Sequence, residues 1–465
     1  VGSEMCIRDR TYSYTSSSDY TKCFQGTFDG NGKTITGMTI SSASVNYVGL
    51  FGYLYGAIVK NLTMADEGTP QAINWKSIPT SSGDGNYYLG SIAGTVKNGK
   101  IINCHNRCAV SFSVSDKSGR VGGIAGVIKE NSVVSSCSNS GIIKMEGSLG
   151  YGGGIAGKSS RSSIVSCFNT GNIEVNASSG SAYAGGIVGD SDIGSDGVAP
   201  GKILNCYSTG DIAAKGTRAS TSGGIVGGVQ YVAIESCFTT GTVSAESSSS
   251  SDAAYAGGIL GWIWSGKSVT IEDCLALNAG GVKATGNVST KLAGRIIGKN
   301  DSVKDSVTLS SNYASSKILL TEGGYTSAPA TGIAADAING ASTYLDDVAD
   351  IAAWTGSGID KAFTAIDANG NLPQLKAAVE YNDNGLPTIY SDDSFIPGQP
   401  DNLASSNYLV LPDPLSLPAE DTDLITLSYS DNKWSYKKGE SGTPARFNGT
   451  VKMAVSYTHL RAHET

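Results

Sequence analysis

Charge is scarce in this 465-residue chain: Asp, Glu, Lys and Arg together make up 16%. The balance is acidic, with a formal net charge of −8, and the cations form no cluster along the sequence. Such a chain lacks the electrostatic footprint of a nucleic-acid or anionic-membrane binder. No apolar run reaches about 18 residues, so no segment reads as a membrane-spanning helix. Cysteine never occurs as C-x-x-C, which argues against a structural zinc site. Histidine occurs only three times and proline only 12 times. The 61 glycines follow no three-residue period, which excludes collagen. Hydrophobic residues at 40% and many short β-branched runs separate the chain from disordered sequences.

The two ends stand apart. "VGSEMCIRDR" (1–10) and "VSYTHLRAHET" (455–465) resemble translated sequencing-adapter DNA and are expected to be artefacts outside the fold. On that reading the authentic chain covers about 11–454, with natural signals or anchors missing. Cys6, His459 and His463 then drop out, leaving eight cysteines and His105 as the one authentic histidine.

What the chain has in quantity is a repeat. A glycine-rich half recurs as "VGLFG" (48–52), "LGSIAG" (89–94), "GGIAG" (122–126 and 153–157), "GGIVG" (185–189 and 223–227), "GGILG" (257–261) and "GRIIG" (294–298). An I/V-x-x-C half follows about ten residues later, as in "IVSC" (164–167), with Leu62 and Ser306 expected in the cysteine slot of the first and last units. Eight units can be counted, successive cysteines being 30 to 39 residues apart. Length varies in one place, before the glycine pair. Constant strands with one variable loop predict an all-β parallel β-helix, or β-solenoid, of about eight coils.

Within it, Ile124, Ile155, Ile187, Ile225 and Ile259 are expected to stack as an inward ladder, and Cys104, Cys137, Cys167, Cys206, Cys237 and Cys274 as a column of buried free thiols. The repeat glycines are expected in tight bends where positive φ or backbone crowding excludes a Cβ, and the "N-T-G-N" and "S-T-G-D" stretches in turns whose Asn, Asp and Gly tolerate left-handed geometry. Cys23 and Cys108 lie off the column and form the better candidate disulfide. The array is expected over 11–310, with further coils and a helical cap (336–354) within 311–380. A linker (381–401) and a truncated β-domain (402–454), immunoglobulin-like in pattern, follow.

"GLFG", "GGIAG" and "GGIVG" followed by I-x-N-C-x-N-T-G-x-I resemble the GLUG-motif repeats of bacterial surface proteins, found in adhesins and beside the zinc metalloprotease that cleaves immunoglobulin A. "FQGTFDGNGKTITGMTI" (24–40) and "AWTGSGIDKAFTAIDANGNLPQLK" (353–376) resemble segments that open and close such arrays. The resemblance implies a secreted or cell-surface scaffold and no particular reaction.

Candidate chemistry is sparse. No catalytic residue, metal ligand or cofactor site is expected. His105 reads as a packing residue, and "DGNGK" (29–33) as a tight turn rather than a calcium loop. Lys129, Glu130, Arg161, Asp190, Asp192 and Lys215 share no slot in the repeat, unlike the clustered carboxylates of a polysaccharide-cleaving β-helix. Trp262 and Trp264, at period two on a strand, are candidate sugar-stacking residues, with packing under the neighbouring loop as the plainer reading. The serine run 247–251 reads as a flexible loop. The expected role is a monomeric adhesive scaffold binding a glycan or a host or partner protein through the loops 177–184 and 247–256 or the tryptophan face. The alternative is an accessory domain of a larger exported hydrolase.

Overall fold

The computed structural model describes residues 20, 23–38, 46–65, 73–75, 86–192, 201–301, 307–315, 318–321, 339–343, 425–430, 433–438 and 445–446. These residues form strands, turns and bends, and no helix occurs among them. Two sheets of 22 and 14 strands pair throughout in parallel, and a separate three-stranded antiparallel sheet is formed by Ile425–Ser430, Lys433–Lys438 and Ala445–Arg446.

The register follows the repeat. Ile143 pairs with Ile173, Ala156 with Val188, Ile164 with Ile203 and Phe168 with Tyr207, so each slot of one repeat lies on the same slot of the next. Alternation explains why these segments are strands. In Ile173–Ala177, Ile173, Val175 and Ala177 are buried while Glu174 is exposed and Asn176 half-buried. An outward polar residue between inward apolar ones suits a sheet with one solvated face.

The isoleucine ladder is continuous in backbone as well as side chain. The amide of Ile124 donates to the carbonyl of Ile155 at 3.1 Å, Ile155 to Ile187 at 3.0 Å, Ile187 to Ile225 at 2.9 Å and Ile225 to Ile259 at 2.8 Å. All five side chains are fully buried. The six column cysteines are fully buried too, and none forms a disulfide.

Of the two reasons expected for the bend glycines one holds, and three other readings fail. The bend glycines are not in left-handed backbone; they are needed for close approach, because a Cβ on Gly123 would meet the carbonyl oxygen of Gly154, and one on Gly154 that of Gly186. The left-handed position is instead the residue before each cysteine slot, with φ of 50° at Asn103 and Ser136, 52° at Ser166 and Asn205, and 54° at Ser236. Residue Ser306 does not hold the last cysteine slot: Ile271 pairs with Leu309, and the amide of Cys274 donates to Asn312 Oδ1 at 3.1 Å. Cys23 and Cys108 are not joined in a disulfide. Two strand steps, about 9.6 Å, separate Thr27–Thr36 from Lys100–Asn106, beyond the reach of a disulfide. Within the expected cap (336–354), Ala341–Thr343 is a strand paired with Tyr313–Ser315, and 336–338 and 344–354 lie outside the described residues.

The serine run is ordered by its own hydrogen bonds. Ser247 is buried and donates to Arg218 O, while Ser249 Oγ accepts from the Asp252 amide at 3.1 Å and donates to Asp252 Oδ2 at 2.9 Å.

Candidate functional site

The chain enters each glycine bend on one strand and leaves it on another, and the outward residues of the two strands meet. On the entering strands Tyr47, Tyr88, Arg120, Tyr151, Tyr183, Thr221 and Tyr255 lie in register. On the leaving strands Tyr53, Thr95, Val127, Lys158, Asp190, Gly228 and Trp262 do the same. Their chain neighbours, such as Ala182 and Ala184 beside Tyr183, belong to the continuous core, whereas these residues do not. Contact between outward columns requires a re-entrant bend. Tyr47 and Tyr53 pack edge to face at 5.4 Å, Lys158 Nζ lies 5.4 Å from the Tyr151 ring centre, and Tyr255 and Trp262 are 5.1 Å apart. The result is a shallow groove along the stack, largely filled by these side chains: Tyr53, Thr95, Val127, Tyr183, Asp190, Thr221 and Tyr255 are buried.

Its polar groups are concentrated toward the N-terminal repeats. The Arg120 guanidinium sits between two rings, 5.2 Å from the centre of Tyr88 and 5.1 Å from that of Tyr151, and donates to Asn86 Oδ1 at 2.6 Å. Lys158 pairs with Asp190 at 3.1 Å, and the Asp190 carboxylate is buried beneath the contact. Burial, reinforced by the negative charge of Asp190, pushes the Tyr183 hydroxyl well above the usual phenol range, so it acts as a neutral donor. Lys97 pairs with Glu130 at 2.8 Å, and Arg161 reaches the same carboxylate at 3.8 Å. Lys129 Nζ lies 5.7 Å from the Tyr53 ring centre. Burial pulls its pKa down, Glu130 opposes that and Lys97 adds to it.

Trp262 lies in this groove near its C-terminal end and Trp264 is beside it, the rings 6.0 Å apart. Both are half-buried, and Trp262 Nε1 donates to Asp301 Oδ2 at 2.8 Å. Column rings have little free face. Tyr47 and Tyr88 stack at 4.9 Å, and Tyr151 and Tyr183 at 5.1 Å, each nearly coplanar, so each ring covers a face of its neighbour.

The cysteines lie on the opposite, inner side of the sheets. Burial raises the thiols of Cys104 and Cys137 well above their ordinary value, which keeps them protonated. His105 Nδ1 is 2.8 Å from Ser138 Oγ and Nε2 is 3.1 Å from Asn103 Oδ1. Asp29 accepts from the Asn31 amide at 2.9 Å and Asn61 Nδ2 at 3.0 Å, and Asn31 and Gly32 are left-handed, the geometry of a turn. Among the described residues no group of three His, Cys, Asp or Glu side chains is placed to hold a metal ion.

Two features went unread in the sequence. An aromatic or Arg two residues before the first bend glycine (Tyr88, Arg120, Tyr151, Tyr183 and Tyr255) was the available signal for the groove. The asparagine two residues after the cysteine was another: Asn106 Nδ2 donates to Asn139 Oδ1 at 2.7 Å, and Asn139 to Asn169 at 2.8 Å, an inward amide ladder.

The register and the groove define an all-β repeat protein of stacked parallel strands. No protein-family model matches the chain, and no curated protein does. It is similar to a crystal structure described as that of "a putative immunoglobulin A1 protease from Bacteroides ovatus", with 18% identity over 76% of this chain and 77% of that one. The TM-score is 0.32, at which the likeness carries no argument about fold or activity.

Proposed function

We propose that this chain is a non-enzymatic scaffold of a bacterial cell-surface or secreted protein, a monomeric parallel β-helix of about eight coils that binds glycans or surface proteins. The observation behind this reading is the slot-on-slot register, which turns outward positions into columns running the length of the stack. A surface that repeats every strand spacing, about 4.8 Å, suits an extended partner better than a compact one. The titratable groups described above are engaged by neighbouring repeats: Asp190 by Lys158, Glu130 by Lys97. Such groups position charge; they are not arranged as a nucleophile beside its base.

The test is to present purified protein to a glycan array and to immobilised host and bacterial surface proteins, while assaying the same glycans for new reducing ends. Saturable binding without cleavage is the expected result. Cleavage of a bound polymer would overturn the scaffold reading, and so would absence of binding to every glycan and protein.

A further inference from the structure

Cations that are dispersed along an acidic sequence converge in the groove. Three successive repeats contribute, in order, Lys97, then Arg120 and Lys129, then Lys158 and Arg161. Lys97 and Lys129 occupy one slot, and Asp192 follows in it two rungs after Lys129, although the sequence pattern suggested no common slot for Lys129 and Asp192. Among the described residues the carboxylates paired with these five cations are Glu130 and Asp190, and Asp192 adds a third in the Lys97–Lys129 slot, so cations still outnumber carboxylates there. The chain as a whole carries −8. A local field opposite in sign to that of the whole molecule selects an anionic partner.

The shape of the site narrows the chemistry. Three repeats span about 9.6 Å along the stack and offer cations at each strand step, which suits a linear polymer bearing regular charges. Arg120 is held between Tyr88 and Tyr151, which pre-orients its guanidinium for a planar anion; among the described residues one of its five N–H groups is engaged, by Asn86. Thr95 Oγ1, buried in the same outer column, has no hydrogen-bond partner among the described residues. A single-stranded nucleic acid would require open aromatic faces for its bases. Here those faces are covered by neighbouring rings and by Arg120.

We propose that the groove segment formed by Lys97, Arg120, Lys129, Lys158 and Arg161 binds an anionic polysaccharide, its carboxylate or sulfate groups lying along successive repeats. This rests on the scaffold reading above and adds the ligand class and the place of binding.

The experiment measures binding of the purified chain to polygalacturonate, dextran sulfate, neutral dextran and oligo(dT) at increasing sodium chloride. The expected result is binding to polygalacturonate, dextran sulfate or both, weakening with salt as exposed charges are screened, with dextran unbound and oligo(dT) weaker. The comparison of the first two identifies carboxylate or sulfate as the source of charge. Arg120→Gln should lower affinity about tenfold, the scale of one charged hydrogen-bonding group. Because Arg120 also packs between rings, the paired variant Lys129→Gln with Arg161→Gln serves as a second probe with the same expected loss. Lys283→Gln, the same charge change in a column outside the groove, should leave affinity unchanged. Equal binding of dextran or oligo(dT), or groove variants that bind like the parent, would overturn the anionic-glycan proposal. Neutral-glycan binding would still leave the scaffold reading standing, whereas failure with every polymer here and every glycan and protein above would remove both.

Discussion

The backbone amide of Cys137 donates to the sulfur of Cys167 in the next repeat, 3.3 Å away. The same contact joins Cys104 to Cys137 and Cys167 to Cys206, each at 3.4 Å, so the column accepts a hydrogen bond from each rung. Each thiol also lies near the carbonyl two residues before it: Cys167 Sγ is 3.3 Å from Val165 O. Cysteine here is a small apolar side chain that can still satisfy a backbone amide. Serine offers the same donor and acceptor on a shorter bond. Cys167→Ser should therefore destabilise by about 1–3 kcal/mol, the range for an imperfectly satisfied buried hydroxyl. A urea titration would check this, and alkylation should label the column cysteines only after unfolding.

Two substitutions separate close approach from left-handed backbone as the reason for a small residue. Gly154→Ala places a methyl against the carbonyl of Gly186 and the side chain of Asn169, and should cost about 1–3 kcal/mol or more through overpacking. Ser166→Gly acts at φ 52°, where an L-residue is strained by about 1–2 kcal/mol, partly offset by glycine's larger entropy when unfolded. It should be neutral or stabilising by up to about 1 kcal/mol. Thermal unfolding of both variants gives the answer, and the reverse order would restore the left-handed reading of the bend glycines.

Periodicity made the inward architecture legible, because burial imposes it. Ile155 and Ile187 recur at one slot since each must fill the same space, and Leu62 could be aligned with Cys104 on pattern alone. The last rung was misaligned because "VKDS" imitates the I-x-x-C spacing, while the actual slot carries Asn312, whose amide oxygen replaces sulfur as the acceptor. The groove was harder to see. Its wall residues alternate among Tyr, Arg and Thr on one side and among Thr, Val, Lys, Asp and Trp on the other, so no single type repeats. Which outward columns face each other depends on the re-entrant bend, a property of backbone path that residue spacing does not encode.

His105 makes a pH prediction. Burial, aided by the positive charge of Arg107, lowers its pKa in the folded protein. The unfolded chain, with a pKa of about 6.5, therefore binds the proton first. The neutral-histidine contribution is complete above about pH 6.5 and is lost as pH falls from there through the lower folded value. Replacing His105 with Gln removes the titrating group, so the stability difference between parent and variant should shift against the parent across that window. Urea midpoints measured from pH 8 down to 5 test the sign, and a difference that moved the other way would contradict a buried neutral imidazole.

Arg295 occupies the slot that is Gly123, Gly154, Gly186, Gly224 and Gly258 in preceding repeats. Glycine is required there when another bend packs directly beneath, as the collision of a Cβ on Gly258 with the Arg295 carbonyl illustrates. Beneath Arg295 the chain supplies Asn339 and Gly340 instead. The Arg295 amide donates to Asn339 Oδ1 at 3.0 Å, and Nη2 donates to Gly340 O at 3.3 Å, with the whole side chain buried. The arginine thus fastens the 339–343 segment onto the last bend. Restoring the repeat consensus with Arg295→Gly should destabilise by about 1.5–3 kcal/mol, the scale of a hydrogen bond to a charged group, rather than improve the array. Amide exchange should accelerate at Ala341–Thr343 while remaining slow at Ile225 and Ile259, because each rung depends on its immediate neighbours. If protection at 341–343 were unchanged in the variant, the segment would be held by its pairing with Tyr313–Ser315 alone, and Arg295 would have no part in closing the stack.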